Sequence, residues 1–227
     1  MIEIKKVSKE FEKFDENKEE LEKACQKAKQ KAQTLAGDLS VKRKAAADEF
    51  CRAVKEKMVF LDMPNVELIV TIENCDLNIN GCDKVEILIS TNPGEVPKPV
   101  AKIASGGELS RMMLAIKNVL ADKDNIDTLI FDEVDTGISG SAAQKVGFKL
   151  KEVSTTRQVL CVTHLAQIAS LADSHFKIMK SVRDEKTFTQ VTLLDHAGRR
   201  DELARIIGGV EITQATLDYA EELLSNG

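Results

Sequence analysis

Apolar positions at the start of the chain recur at alternating steps of three and four: Ile4, Val7, Phe11, Phe14, Leu21, Cys25, Ala28, Ala32, Leu35 and Leu39, with Lys18 as the single charged intruder. That period marks a heptad seam on a helix. The positions between are dense in Lys, Glu, Ala and Gln, all strong helix formers. The first sixty residues hold no Pro and only Gly37, so the pattern predicts one long helix with a potential interruption there. Such a helix would reach roughly 90 Å, farther than a domain of this size is wide. An arm (residues 1–62) is therefore expected rather than a helix lying along its own domain. No second helix of matching length follows, so the seam's partner is expected on another polypeptide or on sequence outside this chain. A Met1 that opens directly into helix points to a piece of a longer protein.

The texture changes after Leu61. Pro64 should end the helix, and 66–73 and 85–90 read as strands. Asn92, Pro93, Gly94, Pro97 and Pro99 form a loop, after which helical periodicity returns over 109–120. Beyond it, apolar runs at 128–131 and 158–163 alternate with helices at about 141–153 and 168–171. Continuous apolar strands alternating with helices predict a parallel sheet buried on both faces, hence an α/β domain over 63–227. Two more strands, 176–181 and 189–194, precede two closing helices.

Composition narrows the function classes. The 227 residues are 43% hydrophobic and 30% charged with a net charge of -5, so no global cationic field announces a nucleic-acid partner. Five cysteines without a CxxC pair fit a reduced compartment rather than a disulfide framework. Cys75 and Cys82 lack further ligands spaced for a metal site. No apolar run long enough to cross a membrane and no signal-peptide pattern is present. A cytoplasmic protein without membrane contact is expected.

Three segments carry chemistry. Ser105-Gly106-Gly107-Glu108-Leu109-Ser110-Arg111 stands directly before a helix. Two glycines there let the backbone approach a bulky anion, and the free N–H groups of the helix start favour negative charge. Ser followed three residues later by Glu is equally a plain helix N-cap. Thr128-Leu129-Ile130-Phe131-Asp132-Glu133 is an apolar strand ending in two carboxylates. At the C-terminal end of a parallel strand such a pair can hold hydrated Mg²⁺ and activate a water, its members pointing opposite ways. An acidic loop at a sheet edge is the bland alternative. Gln158-Val159-Leu160-Cys161-Val162-Thr163-His164 is another buried-type strand, ending in a histidine. That imidazole can donate to a phosphate oxygen or simply be a satisfied polar residue. His175 and His196 lie outside the pattern.

In this order the three segments resemble the signature motif, Walker B and switch histidine of ABC-type ATPases. The wording is closer still to the RecN family of SMC-like repair ATPases: Thr91-Asn92-Pro93-Gly94-Glu95, Phe131-Asp132-Glu133-Val134-Asp135-Thr136-Gly137-Ile138-Ser139-Gly140, and Val162-Thr163-His164-Leu165-Ala166-Gln167-Ile168-Ala169. The resemblance implies the C-terminal lobe of an ABC/SMC-type P-loop NTPase head preceded by one coiled-coil arm. It further implies ATP and Mg²⁺ as cofactors, Asp132 near the metal, Glu133 polarising the attacking water and His164 at the γ-phosphate. Ser105, Gly106, Gly107 and Glu108 would form the signature acting across a head-to-head interface. Thr136, Gly137 and Ser139 would belong to the D-loop, with Ser139 where transporter ATPases usually carry Asp.

A P-loop needs G-x-x-x-x-G-K-[ST], and neither Gly-Lys-Ser nor Gly-Lys-Thr occurs. The expected partners are thus the N-terminal half of the same head and a second ATPase head. The resemblance implies that DNA would be bound by the whole protein in double-strand break repair and recombination, with nucleoid association, and the exposed seam predicts that the arm self-associates. Alone, the chain is expected to be inactive. The competing readings are a transporter ATPase subunit, disfavoured by the long helix and by Val134-Asp135-Thr136 after Glu133, and a non-catalytic coiled-coil scaffold.

Overall fold

A computed structural model describes residues 2–92, 94–102, 106–121, 123–183, 186–209 and 211–226. Helix α1 (Ile2–Phe60) runs without a break through Gly37. Its end is set by backbone geometry ahead of Pro64. Met63 N–H donates to Met58 O at 2.9 Å, Asp62 N–H donates to Val59 O at 3.2 Å, and Asp62 takes the left-handed region at φ 59°. This is a Schellman closure, in which two orphan carbonyls gain donors. Lys55 Nζ then donates to the carbonyls of Pro64 and Val66 at 2.7 and 2.6 Å, tying down the turn.

Two compact units emerge: Met1–Cys51 with Ile69–Leu88, and Arg52–Leu68 with Ile89–Gly227. Strands β1 (Glu67–Asn78) and β2 (Gly81–Ser90), which lie mostly in the first unit, are neighbours joined by Ile79-Asn80. A two-residue connection allows only antiparallel pairing. This hairpin packs on α1 through Ala36, and Arg43 donates to Asp83 at 2.9 Å. The helix face that is buried here, at Ala36, lies one position from the heptad seam. Leu21, Cys25, Leu35 and Leu39 on that seam are exposed, while the side chains of Ile4, Val7, Phe11 and Phe14 lie outside the described residues.

The second unit carries the short β3 (Lys98–Pro99), then α2 (Gly106–Val119), β4 (Thr128–Phe131), α3 (Gly140–Ser154), β5 (Gln158–Cys161) and α4 (Ala166–Ala169). Strands β4 and β5 pair in parallel with Ile130 opposite Leu160 and Phe131 opposite Cys161. Leu129 and Phe131 face the core with Met112 and Leu114 of α2 and Val146 of α3, all buried. The opposite face is not covered among the described residues: Ile130 is 73% exposed, and Leu160 and Val162 are exposed too. Both faces are apolar, as the sequence predicts, but only one is buried.

The chain continues into an antiparallel hairpin, β6 (Phe176–Arg183) and β7 (Lys186–Leu193), whose Phe176, Ile178, Val182, Val191 and Leu193 share one exposed apolar face. Helices α5 (His196–Gly208) and α6 (Gln214–Ser225) close the fold, packing Leu203, Ala204 and Ala220 against Ala166 and Ala169 of α4. Thr213 opens α6 with a reciprocal capping box to Thr216.

Candidate functional site

The start of α2, the tip of β4 and the tip of β5 come together around the turn 132–136. Ser105 lies outside the described residues; Gly106 and Gly107 begin α2. A Cβ added at Gly106 would overlap the Glu133 carboxylate, and one at Gly107 would stand 2.7 Å from Thr136 O. The close approach that the two glycines allow is therefore made by this chain's own acid tip and turn. Glu108 is half-buried in the first turn of α2. Ser110 Oγ donates to Asp132 O at 2.8 Å, which fastens helix to strand tip.

At the tip itself, Asp132 Oδ1 accepts the Glu133 backbone N–H at 2.9 Å, and Glu133 adopts φ 58°. A left-handed Glu is costly backbone, persisting only where its surroundings over-determine it. Its effect is to turn the chain sharply, leaving both carboxylates exposed. Thr136, Gly137 and Ser139 follow on the exposed turn, with Gly137 at φ 76°. Ser139 ends as the extended residue before α3 and makes no side-chain cap there.

Two buried charged residues that sequence reasoning passed over hold this arrangement. Arg111, 7% exposed, donates from one terminal nitrogen to Val134 O at 3.3 Å and Thr136 O at 2.7 Å. Burial pulls its guanidinium below the usual range, against the opposing charges of Glu108 and Asp135. Asp135, 3% exposed, accepts through Oδ2 from Thr163 Oγ1 at 2.6 Å and from the His164 backbone N–H at 2.9 Å, and the His164 ring Nδ1 lies 3.0 Å from the same oxygen. The His164 side chain is otherwise 73% exposed. Thr163 Oγ1 in turn accepts the Leu165 N–H at 3.1 Å. The neighbouring Cys161 thiol is pushed up to about 12 by burial and by the carboxylates of Asp135 and Asp132, which keeps it a protonated, unreactive part of the wall.

The geometry thus joins Gly106, Gly107, Asp132, Glu133, Thr136 and His164 in one locality. The sequence signal for Asp135 and Arg111 was their place inside the quoted motifs, with no local pattern to mark them. Among the described residues no group of three or more His, Cys, Asp or Glu side chains could hold a metal ion. Asp132 fits the single-carboxylate share that Mg²⁺ takes when waters and phosphates supply its other ligands.

The chain is 43% identical over 214 residues to the DNA repair protein RecN of Haemophilus influenzae, which covers 93% of this chain. It is 38% identical over 215 residues to RecN of Halalkalibacterium halodurans, covering 92%. By sequence, this chain is similar to RecN proteins over nearly its whole length. It spans 38% of the length of each of these RecN relatives. No family model matches the chain. Its fold matches the crystal structure of an Smc head domain with a coiled coil and joint from Pyrococcus yayanosii at a TM-score of 0.51 and 22% identity, over 71% of this chain and 29% of that one. The fold is accordingly that of an SMC-type head segment with a long N-terminal helix. No helix among the described residues is long and apolar enough to cross a membrane.

Proposed function

We propose that this chain contributes the signature and Walker B side of an ATP site in a RecN-type DNA repair ATPase, and that the P-loop side comes from sequence outside it. The observation that carries the reading is the meeting of the glycine helix start, the twin-acid strand tip and the histidine strand tip around one turn. In this reading Asp132 takes a place in the Mg²⁺ shell, and Glu133, exposed at a sharp turn, accepts hydrogen-bonding from the attacking water. His164 faces the γ-phosphate. Mg²⁺, when bound, neutralises charge on the phosphates. Gly106, Gly107 and Glu108, with Ser105, meet nucleotide held by a second head, while Thr136, Gly137 and Ser139 line the path between heads.

The uncovered face of β4 and β5 supports a missing companion lobe. Ile130, Leu160 and Val162 are exposed on a parallel pair, and parallel sheets are ordinarily covered on both faces. The rest of the same head is the occupant this reading assigns. The exposed seam of α1 at Leu21, Leu35 and Leu39 supports pairing with a second arm, and in this chain alone it favours self-association. The whole protein, by this reading, works on DNA in double-strand break repair, in the cytoplasm at the nucleoid.

The test is reconstitution. The chain alone should show no ATP turnover; mixed with a separately expressed N-terminal half of a RecN protein it should gain turnover, and Glu133→Gln should abolish that gain. Turnover by the chain alone, or a reconstituted activity indifferent to Glu133→Gln, overturns the proposal. Light scattering of the chain alone should report more than one copy; a strict monomer would remove the arm-pairing part.

A further inference from the structure

The buried carboxylate beside the histidine tip has no part in the nucleotide reading above, yet it sits against one of that reading's exposed side chains. Asp135 comes from the turn after β4 and His164 from the end of β5, so their pairing depends on the tertiary fold. One oxygen, Asp135 Oδ2, gathers the Thr163 hydroxyl at 2.6 Å, the His164 backbone N–H at 2.9 Å and the His164 ring Nδ1 at 3.0 Å. At 3% exposure the carboxylate has almost no water to compete for that oxygen. The ring beyond Nδ1 is open to solvent.

A carboxylate against one ring nitrogen does two things to an imidazole. It keeps a proton on the nitrogen it faces, and it fixes the ring plane. The backbone bond to the same residue adds a second anchor, so both the main chain and the ring of His164 are referred to one atom. The turn that carries the carboxylate is itself held from the other side. Arg111 binds the carbonyls of Val134 and Thr136, the residues immediately flanking Asp135, and Arg111 belongs to α2, the helix that begins at Gly106 and Gly107. A continuous set of short polar contacts therefore runs from the glycine helix start, through the turn, to the histidine.

We infer that Asp135 is a positioning residue for His164, holding the proton on Nδ1 and directing Nε2 outward to the reacting phosphate, with Arg111 keeping the Asp135 turn registered to the start of α2. The inference rests on the ATPase reading, because it assigns His164 a phosphate to meet. No bond is made or broken by Asp135 itself. It acts through the tautomer and orientation of the ring.

Kinetics in a complete RecN-type protein carrying this segment separate positioning from simple structural support. Asp135→Asn keeps the shape and an acceptor oxygen but presents an amide where the carboxylate charge was. It should lower kcat for ATP hydrolysis by about 10- to 100-fold and move KM for ATP by less than about twofold. In a His164→Ala background the same change should cost less than about a further twofold, since the ring it positions is gone. Additive losses in the double variant would overturn the inference. A measurement that needs no variant complements this: ¹⁵N shifts of selectively labelled histidine should show the His164 proton on Nδ1, and an Nε2-protonated ring as the main form would equally overturn it. The two readings fail differently. If Glu133→Gln and His164→Ala both leave turnover intact, the ATPase assignment fails. If Glu133→Gln abolishes turnover and His164→Ala lowers it to a measurable residue while Asp135→Asn leaves it intact, only the positioning role fails.

Discussion

Gly107 lies directly against Thr136: a Cβ on the glycine would stand 2.7 Å from the Thr136 carbonyl oxygen, 2.9 Å from the Thr136 Cβ and 3.2 Å from a terminal nitrogen of Arg111. Two of those three neighbours belong to the turn and have no flexible end to swing aside. Gly107→Ala should therefore force the start of α2 off the turn, at a cost of about 1–3 kcal/mol. Gly37 gives the contrasting case, since it sits inside α1 with nothing within 4 Å of an added Cβ. Gly37→Ala should stabilise by about 0.5–1 kcal/mol, because the helix no longer orders a glycine backbone. Thermal or urea unfolding of the two variants beside the parent chain checks both signs. A neutral Gly107→Ala would show that the helix start is looser than its contacts imply.

Arg111 supplies the second expectation. Its donation to Val134 O and Thr136 O satisfies two main-chain carbonyls of a turn built around the left-handed Glu133. Arg111→Met keeps most of the stem but removes the donors, and should destabilise by about 1–3 kcal/mol for each carbonyl that finds no water in exchange. Arg111→Lys should recover only part of the loss, because a single ammonium does not reproduce the reach and planarity of the guanidinium. Unfolding by denaturant, with the slope unchanged so that only the midpoint reports stability, is the measurement. Equal stabilities for the Met and Lys variants would mean the carbonyls are not what Arg111 is there to satisfy.

The contrast between these residues and the acid tip shows what the sequence makes legible. Helix α1 and the strands β4 and β5 announce themselves through periodicity and apolar runs, which are local properties. Asp132, Glu133 and His164 stand out because each ends an apolar run. Asp135 bonds to residues 28 and 29 positions away, so nothing near it in sequence distinguishes it from the other acids of the turn. Gly106 and Gly107 are read from sequence as a helix start that an anion can approach, but nothing in the sequence says that the space a Cβ would need at each is taken by Glu133 and Thr136. The end of α1 near residue 60 is legible, but the device that makes it is not: Pro64 is visible as a breaker, whereas the left-handed turn at Asp62 that closes the helix uses a residue type with no obligation to adopt it. The one-sided burial of β4 is illegible for a different reason. A doubly apolar strand says that both faces want cover without saying which cover lies in the same chain.

Acid should probe the junction between the end of α1 and α3, where Glu152 accepts from Lys57 at 3.1 Å and also pairs with Lys149. Burial opposes ionisation of Glu152, but the hydrogen bonds from Lys149 and Lys57 outweigh it and hold the carboxyl at about 2, below its ordinary 4.5. A carboxyl depressed in the folded state binds its proton more readily when unfolded, so it stabilises the fold above the unfolded value. That contribution is lost as pH falls through the folded value, and the window here runs from about 4.5 down to about 2. Because the Glu152 side chain is 48% exposed, solvent screening keeps the effect small. The parent chain should melt above Glu152→Gln near neutral pH, and the gap should narrow as pH drops through that window. Raising salt should also narrow it, since partly exposed pairs are screened. A gap that stays constant on acidification, or widens, would mean that the Lys57 and Lys149 contacts do not hold the carboxylate in its charged form.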